Sequence, residues 1–385
     1  MKNLIILSAL LFVFEGSWAQ EKKAETIYSF TKEILSFDYY AEQHELWKKE
    51  LQKNKKSEEA WVNFYAATRY AERMSDSTNK AEWLEKENQV VEDMVKQIPK
   101  TFTYYHILSW HNPIWNASSK EEKDKLMGYA LKAHAIDPNC SDIYPELMNI
   151  HEVHKPNKVK LAEVAKKWKA SVEFTPQTMA MAYNMLLSTK KNALLITAGD
   201  NDTYPLWIAQ QADGFRKDVT VLNMYLALDD EYRNRKFSEL DLPKMEGKVT
   251  PQLLVEHLIE NMGARPLYFT SRGVLNEGTE ALNHLYNIGL IYQYSASKMD
   301  NVSLVVHNFE NVLLTDHLKY NFYESKWSSL DLRMANSYVP GLLLLYQHYE
   351  LVGKEEEAQK SLKMIKYIAQ HFDYYQSIVK QLGLE

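Results

Sequence analysis

The sequence has 385 residues, a formal net charge of -6 and a single cysteine, Cys140. Mild acidity without a Lys/Arg block argues against a nucleic-acid partner, and one cysteine excludes an internal disulfide framework. At this length packing alone can hold a core, and 25 Tyr and 9 Trp supply large areas to bury.

In chain order, Lys2, the apolar run 4–14 and the small residues Ser17 and Ala19 predict a cleavable secretory signal over residues 1–19, cut before Gln20. The run is too short to cross a bilayer as a helix. Its removal takes away Lys2 and Glu15, so the charge of -6 is kept. No later stretch reaches the roughly 18 apolar residues of a membrane helix, so no transmembrane span is expected after cleavage. The expected location is periplasmic, outer-membrane-associated or secreted.

Residues 20–190 read as a helical region. Trp61, Phe64, Tyr65, Thr68 and Ala71 recur at helical spacing, and Trp83 to Ile98 continue it until Pro99. Residues 126–138 carry Ala130 and Ala133 one turn apart and end at Pro138. Residues 161–176 repeat the idea with Ala162, Ala165, Trp168, Phe174 and Pro176. The two prolines are about 38 residues apart, near the period of a helix-pair repeat. The region resembles degenerate tetratricopeptide repeats.

Residues 191–310 change period and predict a Rossmann-like α/β unit. Residues 193–198 form an apolar run before Gly199, 218–225 a second and 266–270 a third, with 288–294 as a candidate fourth strand. Helices are expected over 205–211, capped by Asp202 or Thr203, and over 252–262 after Thr250-Pro251. Alternation of this kind predicts a three- to four-stranded parallel sheet. Residues 229–247 read as a polar excursion. Residues 311–385 return to helix, one over 333–352 and one over 355–371, as a hairpin of the repeat type. The fold class is thus mixed α and α/β.

Gly199-Asp200-Asn201-Asp202-Thr203-Tyr204-Pro205-Leu206-Trp207, then residues 214–223, resemble the soluble C-terminal part of an uncharacterised Bacteroidota family of multi-spanning membrane proteins, itself similar to protein O-mannosyltransferases. Asp331-Leu332-Arg333-Met334-Ala335-Asn336-Ser337-Tyr338 resembles that family's tail. The resemblance covers roughly residues 190–385 and implies the α/β fold, the envelope location and whatever the 200–203 loop binds. No membrane-embedded half is expected in this sequence, so catalysis is not expected to carry over.

In open α/β sheets ligands bind outside the carboxyl ends of the strands. Those ends carry Asp200, Asn201, Asp202 and Thr203, then Asn223 and Tyr225, then Thr270, Ser271 and Arg272. The carboxylates suit a hard cation or sugar hydroxyls, and Arg272 suits an anion or Asp200. The loop reads equally as a structural turn. Gly199 stands alone where a dinucleotide site needs G-x-G-x-x-G. His151 and His154 sit at i and i+3, not the i and i+4 of a zinc helix. His106 and His111, near Trp110 and Trp115, read as aromatic core. Asp229-Asp230-Glu231 with Arg233 and Arg235 reads as a solvated segment. No catalytic residue, metal or cofactor is assigned. The expectation is a non-catalytic envelope protein that binds a protein or glycan partner through its helical surface. The alternative is an enzyme acting on a sugar or phosphate substrate at the 200–203 loop.

Overall fold

A computed structural model describes residues 22–275, 279–319 and 328–382. Residues 1–19, where a signal is expected, lie outside them. Two compact units emerge: residues 22–27 with Ser36–Val90, and Tyr28–Leu35 with the chain from Val91 onward.

The first unit is helical. α1 (Phe37–Lys53) packs on α2 (Glu58–Met74), and α3 (Lys80–Gln97) crosses the boundary between units. Ser36 and Ser57 accept from the third helical amides of α1 and α2. Caps of this kind contribute about 1 kcal/mol each. Between the helices lie Tyr40, Trp47, Trp61, Phe64, Tyr65 and Tyr70, all buried. Two polar links cross this core. His44 Nδ1 and Thr68 Oγ1 are 2.8 Å apart, and Arg69 donates to Tyr65 Oη and to Glu87 Oε1, each at 2.8 Å. Burial holds His44 down at about 4, helped by the charges of Lys48 and Lys86, so its ring is neutral.

The second unit begins with α4 (Phe102–His111), α5 (Lys120–Ile136), α6 (Tyr144–Asn149), α7 (Lys158–Ala170) and α8 (Pro176–Leu187). α4 packs on α5 and α6 on α7, with Ala130, Ala133 and Ala165 fully buried at the close approaches. His106 is buried and stacks on Trp110 at 5.7 Å, as an aromatic core requires. Pro138 follows the end of α5 as expected. Pro176 does the opposite: it opens α8, with Thr175 as the cap, because proline lacks only an amide the first turn leaves unpaired.

The sheet contains β1 (Leu194–Thr197), β2 (Thr220–Asn223), β3 (Leu267–Phe269), β4 (Leu285–Asn287) and β5 (Tyr292–Tyr294), in the order β2-β1-β3-β5-β4. β2, β1 and β3 are parallel, with Ile196 opposite both Leu222 and Phe269. They are the expected parallel strands. β4 and β5 add an antiparallel hairpin, so the whole sheet is mixed. Residues 288–294 therefore hold a turn and β5 rather than one strand. β1 is buried on both faces, covered by α9 (Tyr204–Asp213), α10 (Asp230–Glu239), α11 (Pro251–Asn261) and their neighbours in one continuous core.

α10 lies inside the stretch read as a polar excursion. Asp229 caps it through Tyr232 N at 3.0 Å, and Arg233, read as solvated, is 1% exposed. Arg235 donates to the carbonyls of Glu152 and Val153, and Lys236 pairs with Glu152 at 2.6 Å. These contacts clamp a π-helical turn over Ile150–His154, which takes up both histidines of the rejected zinc pattern.

The chain closes with α12 (Asn301–Asn311), α13 (Asp316–Lys319), α14 (Ser328–Ala335), α15 (Val339–Leu351), α16 (Glu355–Ala369) and α17 (Tyr375–Gln381). α15 packs on α16 as the expected hairpin. The single helix expected over 333–352 is interrupted by a 3-10 turn, Asn336–Tyr338, and Pro340 sits in the first turn of α15. No helix among the described residues is long and apolar enough to cross a membrane.

Candidate ligand site at the carboxyl edge of the sheet

Parallel pairing places the ends of β1, β2 and β3 on one edge, so Asn223 and Thr270 do meet the 199–203 loop. A buried hydroxyl network joins them. Thr203 Oγ1 lies 2.7 Å from Thr197 Oγ1, donates to Gly199 O at 2.6 Å and accepts from Asn223 Nδ2 at 2.9 Å. Asn223 Oδ1 accepts from the amides of Tyr225 and Leu226, each at 3.0 Å. Thr203 stands at the cap position of α9, yet its hydroxyl serves this network and not a helix amide.

Asp202 folds the loop back on itself. Its carboxylate accepts from Ala198 N at 3.1 Å, from Gly199 N at 2.7 Å and from the Thr270 hydroxyl. Burial raises its affinity for a proton above the ordinary carboxylate range, against the pull of those three donors. Neither side chain thus caps the helix, although Thr203 holds the cap position; both hold the loop shape. Asp202→Ala should cost about 1–3 kcal/mol, because two amides and a hydroxyl lose their acceptor. Hydrogen exchange at Ala198 and Gly199 should then accelerate; unchanged protection would contradict this role.

The remaining residues are exposed or half-buried. Asp200 is exposed and Asn201 half-buried. Ser271 and Arg272 are exposed; Ser271 Oγ accepts from Gly273 N at 3.0 Å and Arg272 donates to Leu282 O at 3.2 Å. Arg272 therefore does not serve as the partner of Asp200. Among the described residues no group of three or more His, Cys, Asp or Glu side chains is placed to hold a metal ion.

Several neighbours were not assigned to the site from the sequence. Tyr204, 7% exposed, receives a 2.9 Å bond from Asn149 Nδ2, while Asn149 Oδ1 has no hydrogen-bond partner among the described residues. Burial drives the Tyr204 hydroxyl well above the usual phenol range, and the charges of Asp200 and Glu146 add to it. Asn201 Nδ2 donates to Thr31 O at 2.8 Å, and Arg333 Nη2 donates to the same oxygen at 3.0 Å. Tyr204 and Arg333 stood inside the two motifs that carried the family resemblance. Asn149 and Thr31 had no signal at all.

The motif around this loop is also what comparison with known proteins detects. Residues 178–236 match TMEM260-associated domain 2. The match runs from α8 into α10 and contains both the 199–207 run and residues 214–223. No curated protein and no solved structure matches the chain. Within the matched segment, Asp202, Thr203 and Asn223 build the loop, Asp200 is exposed on it and Asn201 bonds to Thr31 O.

Proposed function

We propose that this chain is an exported, non-catalytic binding or accessory protein of the cell envelope, and that the 200–203 loop recognises a glycan or a component of glycosylation. The division of labour between the two aspartates carries this reading. A pair of carboxylates acting on a substrate must both reach it. Asp202 is committed to Ala198 N, Gly199 N and Thr270. Asp200, exposed at the same edge, is suited to accept hydroxyl hydrogen bonds from a sugar. The TMEM260-associated match and the resemblance to relatives of protein O-mannosyltransferases support the glycan class. The N-terminal run of residues 4–14 supports export.

The test is a thermal-shift screen of the full chain against mannose-, glucose- and galactose-containing oligosaccharides. A stabilising glycan should lose its effect in Asp200→Ala, with each protein's shift read against its own unliganded melting temperature. Equal stabilisation of wild type and variant would remove the loop from the site. Hydrolysis or transfer of a bound sugar would replace this reading with an enzymatic one.

A further inference from the structure

Thr31 lies in Tyr28–Leu35, a segment that belongs to the second unit. The segment is a single tight turn. Lys32 N and Glu33 N both bond to Ser29 O, at 2.8 and 3.1 Å, and Ser29 Oγ lies 3.0 Å from Thr31 Oγ1. The turn leaves the Thr31 carbonyl facing two donors from distant elements, Asn201 in the loop and Arg333 in α14. Lys32 adds an ion pair to Glu173 at 2.6 Å, with both side chains less than one-fifth exposed.

Arg333 is the unusual member. It is half-buried, and among the described residues its hydrogen bond is to a neutral carbonyl. Burial lowers its hold on the proton, and among the described residues no acid offsets this. A guanidinium offers five N–H donors in a planar fork that fits carboxylate or phosphate, and charge-assisted bonds are about twice as strong as neutral ones. A half-buried cation paired only with a peptide oxygen is short of the partner its chemistry favours.

We propose that Asn201 and Arg333 form the receptor for the anionic group of an acidic sugar, a carboxylate or a phosphate, and that the Tyr28–Leu35 strap occupies this receptor in the free protein with the Thr31 carbonyl standing in for the ligand oxygen. The sugar part rests on the glycan reading of Asp200; the anion and the strap do not. Ligand binding displaces the strap, so Arg333 exchanges a neutral acceptor for a charged one. Asp200, one residue from Asn201, takes hydroxyls and disfavours an anion at its own end, which orients the ligand.

The experiment uses the full chain with four probes: glucuronate, glucose 6-phosphate, inorganic phosphate and glucose. Affinity is read by calorimetry and strap protection by hydrogen exchange over residues 28–35. Either acidic sugar should bind at least about tenfold more tightly than glucose, equivalent to roughly 1.4 kcal/mol, and exchange of the strap should rise on binding. Arg333→Gln should remove the preference for the anion, and Arg333→Lys should retain part of it. Lys32→Ala, which loosens the strap at Glu173, should tighten anion binding. The preference for glucuronate or for glucose 6-phosphate decides between carboxylate and phosphate. Arg333-dependent binding of inorganic phosphate with release of the strap, but no difference between sugars, would uphold the receptor and reject the glycan reading. The proposal is overturned by anion binding that leaves the strap protected, by equal anion affinity in Arg333→Gln, or by no anion binding in either wild type or Lys32→Ala.

Discussion

Gly341→Ala is expected to destabilise the second unit by about 3 kcal/mol or more, at the upper end of overpacking costs. Gly341 lies in the first turn of α15, where that helix crosses the turn between β4 and β5. A methyl group there would meet the backbone of Gly289: 2.6 Å from its Cα, 2.7 Å from its carbonyl carbon and closer still to its oxygen. Backbone cannot swing aside as a long side chain can. Gly289 has no spare freedom either, since its φ of 120° is a conformation only glycine adopts readily. Relief must come from moving α15, and α15 carries the hairpin with α16. The measurement is the urea midpoint, with Gly128→Ala as the control. Gly128 sits within α5 and has nothing within 4 Å of an added methyl, so that change should be neutral or stabilise by up to about 1 kcal/mol. A Gly341→Ala midpoint equal to wild type would show that the two backbones are not in contact.

In the first unit the largest effect is expected at Arg69. Its guanidinium pairs with Glu87 at 2.8 Å, with side-chain exposures of 10% and 4%. Removing one member of such a pair leaves the other charge buried, a loss of about 3–5 kcal/mol. Arg69→Ala should show this, and the Tyr65 hydroxyl, bonded to both partners, should lose one of them. The double variant Arg69→Met/Glu87→Met should be more stable than either single change, because no charge remains to be hidden. If Arg69→Ala costs under about 1 kcal/mol, the pair is solvated in solution and carries little of the unit's stability.

Much of this architecture was legible because its signals are local. The runs at 193–198, 218–225 and 266–270 are continuous and apolar, as strands buried on both faces must be, and they became β1, β2 and β3. The antiparallel hairpin was only partly visible. β4 is three residues, Leu-Tyr-Asn, too short for a period to register, and the turn after it falls where one longer strand seemed to run. Pro176 and Pro340 show a second ambiguity. Proline punctuates a helix, but its missing amide is tolerated at the start as readily as it is disruptive further in, so a single residue cannot say which side the helix lies on. α10 was illegible for another reason. Its stability comes from the Asp229 cap and from Arg235 and Lys236 reaching the Ile150–His154 turn, contacts that no pattern within residues 229–247 encodes.

The site divides in the same way. Strand ends predicted which residues would share an edge, and Asp200, Asn201, Asp202, Thr203, Asn223 and Thr270 do share it. Composition could not say which carboxylate would be consumed in shaping the loop. That depends on where the amides of Ala198 and Gly199 point after β1 ends. The meeting of Asn201 and Arg333 was further out of reach, because it passes through a backbone oxygen, and a carbonyl looks the same at every position of a sequence.

The bonds to Thr31 also bear on the order of assembly. They link residues 170 and 302 positions apart. In a chain made from its amino end, the strap is among the first parts to emerge and Arg333 among the last. Contacts of such separation form late, after shorter loops have closed. The helices that follow the strap can fold while it waits, since their caps and core are local. The Thr31 carbonyl therefore finds both donors only once α14 is in place.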